Sequence, residues 1–155
     1  MRIGQGIDVH AFGAGDGFTL GGVRIAFEGG LEGHSDGDVL LHAIVDALLG
    51  AAALGDIGGM FPSSDERWRG ADSRALLELT ARRIREAGFE PVNVDATVVA
   101  ERPRLAPYVA DMREAVATTL GMGVDRVSIK ATTTDGLGFT GRGEGIAAFA
   151  SVLIE

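Results

Sequence analysis

All three histidines of this chain fall within its first 42 residues, in Asp8-Val9-His10 and in His34-Ser35-Asp36-Gly37-Asp38-Val39-Leu40-Leu41-His42. Asp8 and His10 stand two apart in a stretch that reads as a strand, and on a strand such residues share one face. His42 sits in an apolar run of helical period, with Val39, Leu40, Ala43, Ile44, Ala47 and Leu48. That helix is expected to begin at Ser35 as N-cap, with Asp38 three residues later. Two imidazoles and one carboxylate suit zinc, and three protein ligands leave a fourth position open to water or substrate. The same residues also read as an ordinary hydrogen-bonded Asp-x-His pair on a strand. Asp38 and Asp46, four residues either side of His42, read either as carboxylates that fix the tautomer of a ligating imidazole or as solvated charges.

Elements able to position these groups can be traced along the chain. Strands are expected near 2–10 and 22–26, then a long helix near 36–53 and a Gly/Pro-rich loop from Gly55 to Asp65. A helix near 72–87 carries Leu76, Leu77, Leu79 and Ile84 as its apolar stripe and stops at Gly88. A strand near 92–101, a helix near 107–120 closed by Gly121, and strands near 126–133 and 144–154 complete the order. No repeat or linker interrupts this pattern. The expectation is one α+β domain over residues 1–155, with a single layer of helices on a mostly antiparallel sheet.

Composition narrows the function classes. The chain has 155 residues, 46% apolar and 23% charged, which is ordinary for a globular domain and excludes disordered and fibrous classes. A net charge of −8 disfavours nucleic acid or an anionic membrane as partner. Any anionic substrate therefore needs local cations. Cysteine is absent, so a bound zinc must be held by nitrogen and oxygen, and the chain fits a reducing compartment. The N-terminus reads as a strand rather than a signal peptide, and the apolar stretch from Val39 to Leu54 is too short to span a bilayer. A cytoplasmic protein is expected.

Two further stretches carry groups suited to phosphate. Lys130-Ala131-Thr132-Thr133-Thr134-Asp135-Gly136 places hydroxyls and a carboxylate where a strand ends in a glycine loop, a combination that suits a metal-bound phosphate and equally an ordinary hairpin. Glu101-Arg102-Pro103-Arg104-Leu105-Ala106-Pro107 is either a ligand loop stiffened by prolines or a plain connection.

Taken together, Asp8-Val9-His10, His34-Ser35-Asp36-Gly37-Asp38, Gly55-Asp56-Ile57-Gly58, Phe61-Pro62 and Ala131-Thr132-Thr133-Thr134 through Gly138-Phe139-Thr140-Gly141-Arg142-Gly143-Glu144-Gly145 resemble the 2-C-methyl-D-erythritol 2,4-cyclodiphosphate synthase family. The match runs in order from Arg2 to the last strand. The resemblance implies cyclisation of 4-diphosphocytidyl-2-C-methyl-D-erythritol 2-phosphate with release of CMP, a step of non-mevalonate isoprenoid synthesis. It also implies a homotrimer whose sheets face the trimer axis and whose active sites lie between subunits. Asp8, His10 and His42 would then hold zinc, and Asp135 a second divalent ion, magnesium or manganese. His34, Thr133 and Asp135 are the implied catalytic groups. His34, Ser35, Asp56, Gly58, Phe61, Asp65, Phe139 and Arg142 are the implied substrate contacts. Ala100, Pro103, Arg104, Leu105, Ala106, Ala131, Thr132 and Thr133 form the implied cytidine site. Against that family's pattern, Asp135 stands in place of a longer Glu, Gly136 in place of a Lys, Ser63 in place of an acid, and Ile7 in place of an aromatic at the axis. Two other readings are a catalytically idle metal-stabilised trimer and a zinc phosphate-ester hydrolase. For the latter, no separate general base stands ready to activate water.

Overall fold

A computed structural model describes residues 1–155. Seven strands form, at Arg2–Gly13 (β1), Phe18–Leu20 (β2), Val23–Ile25 (β3), Gly30–Leu31 (β4), Pro91–Val99 (β5), Val127–Thr132 (β6) and Gly145–Ile154 (β7). The α-helices are Val39–Ala52 (α1), Ile57–Met60 (α2), Ser73–Glu86 (α3), Val109–Leu120 (α4) and Gly138–Gly141 (α5). The main sheet runs β4-β1-β7-β5-β6 and is antiparallel except where β5 pairs parallel with β6. The α+β class and the mostly antiparallel sheet agree with the sequence reading. The strand expected near 22–26 belongs instead to a separate two-stranded ribbon, β2-β3.

What positions the site is the contact of α1 with β1. Gly4, Gly6, Asp8 and His10 share one face of β1, and the first two carry no side chain. A Cβ on Gly4 would lie 1.9 Å from the Ala47 carbonyl oxygen, and one on Gly6 would lie 1.9 Å from that of Ala43. Helix backbone therefore rests directly on strand backbone. The register follows from the two repeats: two strand residues advance about 6.6 Å and four helix residues about 6 Å. Gly4 meets Ala47 and Ala51, Gly6 meets Ala43 and Ala47, and the next step along the same face brings Asp8 against His42. Around this contact, α1 buries Leu40, Leu41, Ile44, Leu48 and Leu49 in a core shared with Leu77 and Ile84 of α3, Met112 and Leu120 of α4, and Ile146 of β7.

The start of α1 differs from expectation. Its N-cap is Asp38, not Ser35, because Gly37 turns left-handed with φ of 74° and delays the helix. The buried Asp38 carboxylate accepts the backbone amide of Leu41 at 3.0 Å and those of Gly21 and Gly22 in the β2-β3 turn at 2.9 and 2.8 Å. It thus ties the ribbon to the helix end, while burial pushes its carboxyl upward against the pull of those three amides. Asp46 accepts the Ile57 amide at 2.7 Å and so holds α2. Neither carboxylate is bonded to His42, so the expectation that they fix its tautomer is overturned: both are spent on backbone amides.

Gly6→Ala forces α1 off the sheet, because the added methyl meets a helix carbonyl rather than a flexible side chain. The expected outcome is a loss of about 2 kcal/mol or more of stability, read by denaturant unfolding, together with weakened metal retention. An unchanged unfolding midpoint contradicts the close contact.

Candidate metal centre and substrate pockets

At the end of the shared β1 face, three ligand atoms converge. Asp8 Oδ2 lies 2.8 Å from His10 Nε2 and 2.9 Å from His42 Nδ1. The two ring nitrogens are 3.3 Å apart. All three residues offer ligand atoms within 4.8 Å of one another. A tetrahedral zinc with bonds of about 2.0–2.1 Å to nitrogen sets its ligands about 3.3 Å apart, so the ring separation matches that geometry. On the far side of its ring, His10 Nδ1 donates to the Glu32 carbonyl. That oxygen can only accept, which leaves Nε2 of the neutral ring with its lone pair turned inward. The donor set therefore fits a divalent cation of the zinc type.

Electrostatics point the same way. Burial pushes the Asp8 carboxyl up, but the His10 and His42 rings, when protonated, donate to it, outweigh burial and hold the group well below the usual carboxylate range. For His10, burial favours the neutral ring, yet the Asp8 carboxylate and the Glu32 carbonyl raise its pKa overall. Both shifts reflect one preference, for positive charge between the carboxylate and the rings, which a cation supplies directly.

His10 and His42 open onto a cavity of about 330 Å³ whose lining also includes His34, Ser35, Gly58, Phe61, Ser63 and Trp68. Four of the expected substrate contacts, His34, Ser35, Gly58 and Phe61, thus come together beside the metal ligands. His34 Nε2 is buried there with no hydrogen-bond partner. Asp56 and Asp65 do not line the cavity. Asp56 caps α2 by accepting the Gly59 amide at 2.8 Å, and Asp65 is clasped by Arg67 at 2.6 Å. Trp68, which stacks edge-on against Phe61 with ring centroids 5.0 Å apart, was not foreseen.

A second cavity of about 220 Å³ lies between the loop after β5 and the end of β6. Ala100, Pro103, Arg104, Leu105 and Ala106 line it from the loop, and Ala131, Thr132 and Thr133 from the strand. The whole set expected to hold a nucleoside is therefore brought together, with Glu101 added. Glu101 Oε1 accepts the amides of Thr134 and Gly136, each at 3.1 Å, and so braces the loop on which Asp135 adopts a left-handed φ of 54°. Thr133 Oγ1 donates to Asp135 Oδ1 at 3.2 Å. The Asp135 carboxylate is part of no cluster of three potential metal ligands. Phe139 and Arg142 line neither cavity. Arg142 pairs with Glu144 through two bonds, at 2.7 and 3.1 Å.

One contact escaped the sequence reading entirely. Ser73, the first residue of α3, has its hydroxyl oxygen 2.9 Å from His42 Nε2, and Ser35 Oγ lies 3.0 Å from the same nitrogen. A lone serine at a helix start carries no spacing signal for a partner 31 residues earlier.

Comparison with known proteins agrees with this geometry. Residues 1–155 match the model of the YgbB family. The chain is 60% identical to the 2-C-methyl-D-erythritol 2,4-cyclodiphosphate synthase of Halorhodospira halophila, over 100% of this chain and 96% of that one. A solved 2-C-methyl-D-erythritol 2,4-cyclodiphosphate synthase in a CDP-bound form superposes with a TM-score of 0.91 at 34% identity, covering 99% of this chain and 100% of that one. The bifunctional IspDF of Campylobacter jejuni gives a TM-score of 0.95 at 45% identity, covering 99% of this chain but only 42% of that longer one. With its full length matched by the family model and by relatives at this identity, the chain belongs to the YgbB family.

Proposed function

We propose that this chain, as one domain over residues 1–155, converts 4-diphosphocytidyl-2-C-methyl-D-erythritol 2-phosphate to 2-C-methyl-D-erythritol 2,4-cyclodiphosphate and CMP, as a phosphorus–oxygen lyase of isoprenoid precursor synthesis. The observation that carries this reading is the convergence of Asp8, His10 and His42, of which His10 and His42 line one cavity. Those three residues would hold zinc. When bound, zinc supplies positive charge that draws electron density from a β-phosphate oxygen and offsets charge in the transition state.

In the reaction an oxygen of the 2-phosphate bonds to the β-phosphorus, the bond from that phosphorus to the bridging oxygen breaks, and CMP leaves with the electron pair. Nucleophile and electrophile belong to one substrate, so the protein's task is to fold that substrate into line, an effect worth about 7 kcal/mol or more. His34 offers its unpartnered Nε2 to the 2-phosphate, and Ser35 a hydroxyl. Gly58 and Phe61 bound the methylerythritol. The loop after β5 and the end of β6 hold the cytidine, and Thr133 orients the diphosphate. Asp135 would contribute one carboxylate to magnesium or manganese, ions that commonly take one or two carboxylates and complete their shell with phosphate and water.

The two cavities have no lining residue in common. A substrate reaching both is accommodated if copies of the chain pack so that one supplies the metal cavity and its neighbour the nucleoside cavity. Support for a trimer built this way comes from the sheet face turned away from the helices. There Ile3, Ile7, Val9 and Phe149 are 75%, 51%, 50% and 41% exposed, an apolar strip that association would cover. No helix is long and apolar enough to cross a membrane, and a cytoplasmic location is part of this proposal.

Phosphorus NMR of the protein with this substrate and magnesium is expected to show the cyclic diphosphate and CMP, lost on chelation and restored by zinc. A folded, zinc-loaded protein that leaves the spectrum unchanged contradicts the assignment. His42→Ala is expected to lose bound zinc and turnover together, measured by metal content after dialysis; full zinc occupancy in that variant removes His42 from the ligand set.

A further inference from the structure

We propose that Ser73, held by Asp36, is a positioning residue for His42: it biases the tautomer and rotation of that ring so that Nδ1 can offer its lone pair to an ion held with Asp8 and His10. The inference rests on the metal-centre reading given above and concerns residues outside the ligand set.

Proton accounting carries it. Ser73 is fully buried and does not line the substrate cavity, unlike Ser35, so its hydroxyl faces protein alone. Its backbone amide, one of the unpaired donors of a helix start, bonds Asp36 Oδ2 at 3.1 Å. Its hydroxyl donates to Asp36 Oδ1. Asp36 is gripped in turn: its amide donates to the Ala71 carbonyl at 3.1 Å, and its Oδ1 also receives the Asp38 amide at 3.2 Å. A serine hydroxyl has one proton, and here that proton points at a carboxylate. Ser73 Oγ can therefore meet His42 Nε2 at 2.9 Å only as an acceptor, which places the ring proton on Nε2. Ser35 Oγ, 3.0 Å away, shares that proton.

The opposite tautomer gains a hydrogen bond from Nδ1 to the Asp8 carboxylate 2.9 Å away, but it loses on two counts. It would set two lone pairs against each other between Nε2 and Ser73 Oγ. It would also place a proton on Nδ1, where a metal needs an electron pair. Ser73 escapes the first conflict only by turning its hydroxyl away from Asp36. Without Ser73, the Ser35 hydroxyl is free to donate to Nε2 and stabilise the wrong tautomer. Groups that orient a ligating imidazole in this way typically change metal affinity by about ten- to a hundredfold.

Two measurements test this. In metal-free protein, nitrogen-15 NMR at alkaline pH is expected to find a larger share of His42 protonated on Nε2 in the wild type than in Ser73→Ala. In Ser73→Ala, competition with a chelator of known affinity is expected to show zinc bound about ten- to a hundredfold more weakly, with the Nδ1-protonated ring appearing in the metal-free spectrum. Asp36→Ala is expected to lower affinity similarly, and the double variant to add little beyond either single change. A folded Ser73→Ala with wild-type affinity and an unchanged tautomer ratio overturns the proposal. Should Ser73→Ala fail to fold, the same two readings on Asp36→Ala decide. A wild type that binds no zinc overturns the metal reading instead, and the metal-free spectrum keeps the two failures apart.

Discussion

The molecule depends on a helix lying directly on a strand. Gly4 and Gly6 remove two side chains from β1, and the carbonyls of Ala43 and Ala47 fill the space a methyl group would need. This approach does more than pack the core. Once the helix is so close, the matched repeats of helix and strand leave no freedom in where its first turn meets the sheet. His42 must arrive beside Asp8 and His10, from a position more than 30 residues away in the chain. A catalytic constellation is thus set on rigid elements rather than on loops, which is where precise ligand geometry is easiest to maintain.

Electrostatics then decide what the constellation is for. One carboxylate and two ring nitrogens crowd a point within a few ångströms, and at least one outer nitrogen is already committed to an acceptor. Such a cluster is stable only with positive charge at its centre, whether proton or metal. With its net charge of −8, the chain also has little general attraction for an anionic substrate. On the proposed reading, the centre, His34 beside it and Arg104 in the second cavity would provide that attraction locally. The sheet face opposite the helices carries an exposed apolar strip, which in the proposed trimer would join chains and bring the two cavities together.

Much of this was legible in the sequence because it is periodic or local. The Asp8-x-His10 spacing on a strand, the helical repeat around His42 and the glycine stops at Gly88 and Gly121 each announce geometry over a few residues. The residues expected to hold a nucleoside followed from family resemblance, and the structure gathers all eight of them around one space. What failed had competing local signals. Ser35, Asp36 and Asp38 are all good caps, and only the left-handed turn at Gly37 selects Asp38. Asp38 and Asp46 have the right helical spacing to reach His42, but backbone amides from other elements claim them first. The strands β2 and β4, three and two residues long, are too short to show alternation. Ser73 stayed invisible because its role arises from a tertiary contact between two helix starts.

The central claim is that the fold presents two imidazoles and one carboxylate to a single divalent ion. X-ray absorption at the zinc edge of the purified protein tests it most directly. The expected spectrum has two nitrogen neighbours at about 2.0–2.1 Å and oxygen neighbours at about 2.0–2.2 Å, in four-coordinate geometry. A shell of oxygen alone, or six-coordinate zinc without the multiple-scattering pattern of imidazole, would contradict the account.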